Sequence, residues 1–298
     1  MDTARPLALV TGGNTGIGFE TVVGLVDTGW HVVFTSRDAA RGEDACVRIR
    51  ERVGAGSSGD VEMMSLDLAS FVSIRAFAAD FNARFDRLSL LVNNAGLAPA
   101  GIRRETHDGF EAAFGVNHLG HFLLTSLLEP QLRANAPSRI VVVSSGAYRV
   151  AKNGLCWEDL QHEHDFHSFQ VYGESKLANI YFVVAMADRL RGTGVTINAT
   201  NPGYVESGLG QLRPEDEARV DPATLAAVNA ARQPMPNDAK PTAYGAASSL
   251  RLALDPALAD VTGQYFDEGE LVVLRGVAAD RDEAQRLWAL SVRLVGRG

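Results

Sequence analysis

The stretch Pro6-Leu-Ala-Leu-Val-Thr-Gly-Gly-Asn-Thr-Gly-Ile-Gly18 restricts the fold of this chain more than any other. A short apolar run, Leu7 to Val10, breaks into a loop holding Gly12, Gly13, Gly16 and Gly18; the apolar spacing from Phe19 to Asp27 then predicts a helix. Strand, glycine loop and helix in this order leave backbone N–H groups free at a helix N-terminus, where a phosphate can be held. Glycine suits such a loop because a Cβ would hold the backbone off the phosphate and because the turns need positive φ. The spacing is Gly-x-x-x-Gly-x-Gly rather than G-x-G-x-x-G, so on this stretch alone an ordinary turn is an equal alternative. Gly12, Asn14, Thr15, Gly16, Ile17 and Gly18 are the candidate phosphate-binding residues.

A chain of 298 residues, 46% of them hydrophobic, can bury a large α/β core. The net charge of −8, with no basic stripe, argues against a nucleic-acid surface. Two cysteines, Cys46 and Cys156, are too few and too far apart for a disulfide framework or a zinc site, which suits a reducing cytoplasm. The polar start and the first strand at Leu7 leave no place for a signal peptide, and no apolar run reaches the ~18 residues of a membrane span. The expectation is a soluble cytoplasmic protein.

Short β-branched runs then alternate with helical patterns. Strands are expected at His31–Ser36, Val61–Leu66, Leu88–Val92, Arg139–Ser144, Val195–Thr200 and Gln264–Phe266. Helices are expected at Ala39–Val53, Ser70–Phe85, His107–Pro130 (one or two), Glu174–Arg191 and Thr242–Leu254. This alternation predicts one Rossmann-like domain, a doubly wound parallel sheet of about seven strands covered by helices on both faces. Residues 146–171 and 207–240 interrupt it, both after strands and at the sheet edge where open α/β folds take ligands, so they read as substrate loops or lids. The second carries Pro214, Pro222, Pro234, Pro236 and Pro241 with Leu209, Leu212, Val220, Leu225, Val228 and Met235 between them, the pattern of a cover with an apolar underside.

Thr35-Ser36-Arg37-Asp38 follows the second strand. A carboxylate at that strand end would accept from a ribose 2′-OH; Ser36 followed by Arg37 instead suits a 2′-phosphate, which a guanidinium pairs and a carboxylate repels. This favours NADP, the alternative being a solvated Arg37 at the helix start; Asp38 reads as that helix's cap. Asp67, with Leu68 beside it, could accept from an adenine amine or cap the next helix. Asn93-Asn94-Ala95-Gly96 lets backbone pass close to a nucleotide, and as successive strand ends these sites share one edge of the sheet.

Together with Asn117, Ser145, Tyr172-x-x-x-Lys176 and Pro202-Gly203, these motifs resemble the short-chain dehydrogenase/reductase family from about Leu7 to Phe266. Within it, Ser36-Arg37-Asp38, the long insert before Tyr172, Ser175-Lys176-Leu177-Ala178-Asn179 and Leu287-Trp288 resemble the retinol-dehydrogenase-like branch, though the hydrophobic anchor of its membrane-bound animal members is missing here. A hydride-accepting carbonyl needs a proton at oxygen, and a phenol near pKa ~10 is a poor donor–acceptor at neutrality unless its phenolate is stabilised. Lys176, one helical turn from Tyr172, is therefore expected to lower that phenol and make it acid in reduction and base in oxidation. Ser145 is expected to hydrogen-bond the substrate oxygen. The resemblance chooses Ser145 over Ser144, gives Lys176 the nicotinamide ribose and Asn117 a relay water, and implies pro-S hydride transfer. It also puts Pro202, Gly203, Val205 and Ser207 about the nicotinamide, and implies pairing of copies through the helices at His118–Pro130 and Glu174–Arg191, although a helix buried within one subunit would look the same.

Other features carry blander readings. Tyr148-x-x-x-Lys152 repeats the catalytic spacing but sits in a loop. His162, Glu163, His164, Asp165 and His167 read as a solvated cluster rather than a metal site, and His118 and His121 as packing or pocket residues. Leu287, Trp288, Leu290 and Leu294 read as a helix packed on the sheet edge. The expected activity is NADP(H)-dependent interconversion of a carbonyl and an alcohol, reduction preferred, on a bulky lipophilic substrate such as a retinoid, steroid or polyketide-like ring. The alternative is a catalytically silent NADP sensor or scaffold on the same fold, which would predict damage to a catalytic set that is present. An epimerase or dehydratase would need a larger C-terminal domain than ~60 residues supply.

Overall fold

The computed structural model describes residues 5–206 and 239–296, with Leu209, Pro222, Leu225 and Ala226 between them. Eight strands form one sheet in the order β3-β2-β1-β4-β5-β6-β7-β8. They are β1 (Leu7–Val10), β2 (His31–Ser36), β3 (Asp60–Ser65), β4 (Leu90–Asn93), β5 (Ser138–Val143), β6 (Val195–Asn201), β7 (Tyr265–Asp267) and β8 (Glu270–Val272). The first seven run parallel; β8 adds an antiparallel edge through a tight turn after Asp267, one strand beyond the seven expected. Helices α1 (Gly16–Asp27), α2 (Ala39–Val53), α3 (Phe71–Arg84), α4 (His121–Ala134), α5 (Ser168–Arg189), α6 (Thr242–Leu254) and α7 (Arg281–Leu294) complete the described chain.

The sheet is buried on both faces, and its strands alternate between two cores. Leu7 and Leu9 of β1 join the cluster beneath α3, α4 and α5, whereas Ala8 and Val10 join the one beneath α1 and α2. Because β1 to β7 are parallel, Thr11, Ser36, Asn94, Ser145 and Pro202 all emerge at one edge. The strand order reverses between β1 and β4, and the ligand crevice of such sheets opens there.

Three local differences from the sequence reading have physical causes. The helix expected from His107 begins instead at Ala112 and runs through a π-wound segment, Phe114–Gly120, into α4. Buried Glu111 sets that start: its carboxylate accepts from Ala113 N (2.9 Å) and Phe114 N (2.7 Å), caps that a hydrophobic-periodicity reading does not weigh. Gly120 lets the segment press on Leu68, whose carbonyl oxygen would lie 2.6 Å from an added Cβ. Second, α5 starts at Ser168 rather than Glu174, so Tyr172 stands in its second turn; no side-chain cap announces the start, and Phe169 there is exposed.

Third, α7 packs on α5 and α4 rather than on the sheet edge. Trp288 stacks over Phe182 at 6.2 Å and meets Phe122 edge-on at 4.8 Å, with the Arg189 guanidinium 4.0 Å from its ring centre. An aromatic pair of this kind adds about 1 kcal/mol to the apolar burial. His118 Nε2 donates to Ser291 Oγ at 2.8 Å, and the Trp157 indole N–H donates to Glu283. The face of α4 and α5 that could have met a second copy thus carries the chain's own C-terminal helix. Among the described residues no helix is long and apolar enough to cross a membrane.

Candidate active site

The glycine loop is shaped by close packing as much as by conformation. An added Cβ would lie 2.5 Å from Phe34 Cβ at Gly13 and 2.2 Å from Gly12 O at Gly18. Gly16, at φ +61°, faces open space. The N-terminus of α1 has no side-chain cap and no acid in its first turn, whereas Asp38 and Ser70 cap α2 and α3. Its N–H groups and dipole are therefore left for an anion.

A cavity of about 440 Å³ starts at this loop. It runs past Gly12 and Asn14, along Ser36, Arg37 and Arg41, beside Asp67, Leu68, Ala95 and Gly96, and on to Leu97, Ile102 and Val116. Asp38 caps α2 through Arg41 N (3.1 Å) and pairs with the Arg41 side chain at 3.5 Å, and Arg37 and Arg41 line the cavity from exposed positions. Arg41 is a residue the sequence reading missed; its place one helical turn after Arg37 was the available signal. Asp67 accepts from Ala69 N (3.0 Å) and meets His107 at 3.4 Å, so it shapes the turn before α3 while Ser70 supplies the cap itself. The phosphate-sized loop, paired guanidinia and elongated cavity fit a nicotinamide dinucleotide.

Beyond Gly96 the proton-handling groups converge. Tyr172 and Lys176 share one face of α5, the ammonium lying 5.6 Å from the phenol ring centre. Ser145, at the end of β5, lies close enough to the Tyr172 hydroxyl to favour its ionised form. Ser144 is otherwise engaged: buried, it donates to Lys176 O at 2.9 Å and fixes the backbone of that turn. Lys176 Nζ donates to Val143 O at 3.1 Å, and its other two N–H donors meet no acceptor among the described residues. Asn117, in the π-wound segment, accepts from Leu97 N (2.8 Å) and donates to Leu97 O and Ser175 Oγ (both 2.9 Å). Ser175 in turn donates to Tyr172 O at 2.7 Å, a link not seen in the sequence.

The expectation that Lys176 lowers the phenol is overturned. Burial pushes Tyr172 up to about 12 against the opposing influence of Ser145, and burial pushes Lys176 down to about 8. The ammonium is turned toward Val143 rather than the phenol oxygen, so desolvation outweighs charge. Tyr172 therefore holds its proton throughout the neutral range.

Pro202, Gly203 and Val205 follow β6, with Gly203 at φ +79° against Glu268. Glu206 N donates to Lys240 O at 2.8 Å, and Lys240 N to Tyr204 O at 2.9 Å, so the two ends of the second insert are tied together. Leu209 lines the cavity. Ser207, with Leu212, Pro214, Val220, Val228, Pro234, Met235 and Pro236, lies outside the described residues. Tyr148 packs edge-on against Tyr265 at 5.3 Å.

The histidine cluster splits. His164 and His167 stay at the surface beside Asp159 and Asp165, while His162, at φ +48°, turns inward to Glu174 at 3.3 Å with both side chains under 8% exposed. Burial opposes both charges, yet the mutual pairing wins: His162 is held above 6.5 and Glu174 below 4.5. The pair clasps the first insert to the catalytic helix. Its stabilisation is complete between about pH 4.5 and 6.5, fades above as His162 loses its proton, and fades below as Glu174 gains one. His162→Gln should therefore lower the melting temperature most between those limits, by a loss of about 3 kcal/mol, with the gap to wild type narrowing by pH 9; thermal melts across pH measure it.

The short chain dehydrogenase family model matches residues 6–157. This chain belongs to the short-chain dehydrogenase/reductase family. Retinol dehydrogenase 14 of Mus musculus is 39% identical across 97% of this chain and 85% of that relative, which places it in the retinol-dehydrogenase-like branch. Among solved structures, an uncharacterised protein from Mycobacterium paratuberculosis superposes with a TM-score of 0.68 at 29% identity, covering 98% of this chain and 94% of that one. RhlG of Pseudomonas aeruginosa in its NADP active-site complex gives 0.62 at 27% identity, covering 89% and 95%. The chain is accordingly an NAD(P)-dependent alcohol/carbonyl oxidoreductase.

Proposed function

We propose that this enzyme uses NADP(H) to reduce a bulky, lipophilic ketone or aldehyde. The observation that carries the reading is the grouping of Tyr172 and Lys176 on one face of α5 behind Gly96, a glycine that lines the same cavity as Arg37 and Arg41. When bound, the nicotinamide supplies or accepts the hydride. Gly12 to Gly18 and the bare N-terminus of α1 would hold its pyrophosphate, Asp67 and Leu68 its adenine, and Asn94 to Gly96 its sugar. By the family resemblance, Pro202, Gly203, Val205 and Ser207 would serve the nicotinamide. Lys176 gives its two remaining N–H donors to ribose hydroxyls.

Tyr172 donates its phenolic proton to the substrate oxygen while Ser145 donates a hydrogen bond to the same atom and stabilises the developing alkoxide. Asn117 holds the Leu97 turn and the relay water behind Lys176. A phenol pushed up to about 12 is protonated at neutrality, the form that reduction requires. Ile102, Val116 and Leu209 offer apolar contacts along the cavity, beside Arg104, Glu105 and Glu111, in keeping with a ligand that is largely lipophilic and carries a polar group. Free Cys46 and Cys156 suit the cytoplasm. A homodimer through α4 and α5 would have to displace α7, so we assign α7 the place of that partner.

Two assays test this reading. Across a carbonyl panel, ring-bearing lipophilic members should give the highest kcat/KM; turnover confined to small polar carbonyls would remove the substrate class. Arg37→Ala/Arg41→Ala should raise KM for NADPH by about 100-fold and leave NADH nearly unchanged, since two charge-assisted contacts to a 2′-phosphate are lost. An equal loss for both cofactors would contradict NADP preference.

A further inference from the structure

Two buried histidines flank Asn117, and one of them is wired into the dinucleotide loop. His121 is 2% exposed. Its Nδ1 lies 3.1 Å from Asn117 O, and its Nε2 lies 2.9 Å from Thr11 Oγ1. A carbonyl oxygen only accepts, so Nδ1 carries a proton. Burial, with the Lys176 ammonium adding to it and the Asn117 bond opposing, pushes the ring down to about 4, so at neutrality that proton is the only one. Nε2 is then an acceptor, and Thr11 donates to it. The other arrangement would send the Thr11 hydrogen to Val92 O at 3.4 Å and set a bare Nδ1 against a carbonyl.

With its hydrogen so committed, Thr11 Oγ1 has its lone pairs turned to Asn94 N (2.9 Å) and Ala95 N (3.0 Å). The turn from Asn94 to Leu97 is thus gripped twice. Thr11, oriented by His121, holds its start, and Asn117 holds its end at Leu97. Gly96 lies between the two grips. A Cβ there would stand 3.2 Å from Asn117 Oδ1 and 3.5 Å from Lys176 Nζ, so a slip of this turn would intrude directly on the catalytic lysine.

We propose that His121, with its proton on Nδ1, is a positioning residue that ties the glycine loop and the Asn94–Leu97 turn to the Asn117 segment, and so sets where the dinucleotide lies relative to Lys176. This rests on the family's dinucleotide chemistry and not on the identity of the substrate. His121 reaches neither substrate nor cofactor; it acts through Thr11 and Asn117.

Three substitutions and one spectrum test it. A glutamine reaches as far as Nε2 and offers Thr11 an acceptor, an asparagine keeps only a donor near Asn117 O, and a phenylalanine keeps neither. By fluorescence titration of the unliganded protein with NADPH, His121→Gln should stay within about threefold of wild type. His121→Asn and His121→Phe should each raise Kd by about tenfold, the worth of one oriented hydrogen bond. At saturating NADPH, kcat should fall less than Kd rises. Equal Kd values for wild type and all three variants, or losses that merely track melting temperature with glutamine no better than phenylalanine, would overturn the proposal. Because a variant can fail to fold, wild-type protein carrying ¹⁵N-labelled histidine gives a separate reading. His121 should appear as the Nδ1–H tautomer from pH 8 down to about 5; an Nε2–H tautomer there would overturn the assignment.

Discussion

Tyr172→Phe should lower kcat for carbonyl reduction by about 10³-fold while leaving Kd for NADPH within about twofold of wild type. The substitution removes one oxygen from a ring that is already packed in place on α5, so the fold and the dinucleotide cleft lose little. What goes is the only phenolic proton at the junction of Ser145 and Lys176 among the described residues. Ser145 remains as a hydrogen-bond donor, but a hydroxyl with no base behind it is a far weaker acid than a phenol. Stopped-flow loss of NADPH, read alongside fluorescence titration, separates the two quantities. Turnover within about tenfold of wild type would mean that the proton comes from elsewhere.

Lys176 should produce the second large effect, visible both by substitution and by pH. Its ammonium is buried against Val143 O, and burial holds it near 8 instead of 10.5. Charge on this group is therefore present below about pH 8 and lost above it. With kcat/KM reporting the free enzyme, carbonyl reduction should be level through neutrality and fall about tenfold per pH unit beyond that point. Lys176→Met keeps the length and apolar stem and removes the donors; it should cut kcat/KM by about 10³-fold and erase the alkaline limb. A limb that survives in Lys176→Met belongs to another group, and Tyr172, pushed up to about 12, is too high to supply it.

The sheet and the nucleotide edge were legible because they rest on local chemistry. β2, α2 and α6 fall where their apolar spacing put them, and Asp38 caps α2 as its position suggested. Strand ends carrying Thr11, Ser36, Asn94 and Ser145 line one edge simply because parallel strands end together. What the sequence hid depends on contacts distant in the chain. The π-wound segment at Asn117 is held by Glu111 on one side and by Leu97 and Ser175 on the other, and no local propensity encodes that. The start of α5 lacks a cap to mark it. His162 looked like one of several solvated histidines until the backbone turned it toward Glu174. The apolar wrap of α5 was plain, but only the folded chain shows α7 covering its outer face.

The phenol is the most instructive failure. A lysine one helical turn away reads as a charge that acidifies it, yet helical spacing fixes neither where Nζ points nor how much water is excluded. In the folded protein exclusion of water dominates, and Tyr172 becomes a group that keeps its proton until a substrate oxygen takes it.

Isotope transfer tests the central claim most directly: a carbonyl held between Tyr172 and the pro-S face of the nicotinamide receives proton and hydride at one C=O bond. NADPH carrying deuterium at the 4-pro-S position, incubated with the enzyme and a lipophilic aldehyde, should yield alcohol with the label on the carbinol carbon, one equivalent per NADPH consumed. Unlabelled alcohol, or label delivered only from the 4-pro-R position, would contradict the account.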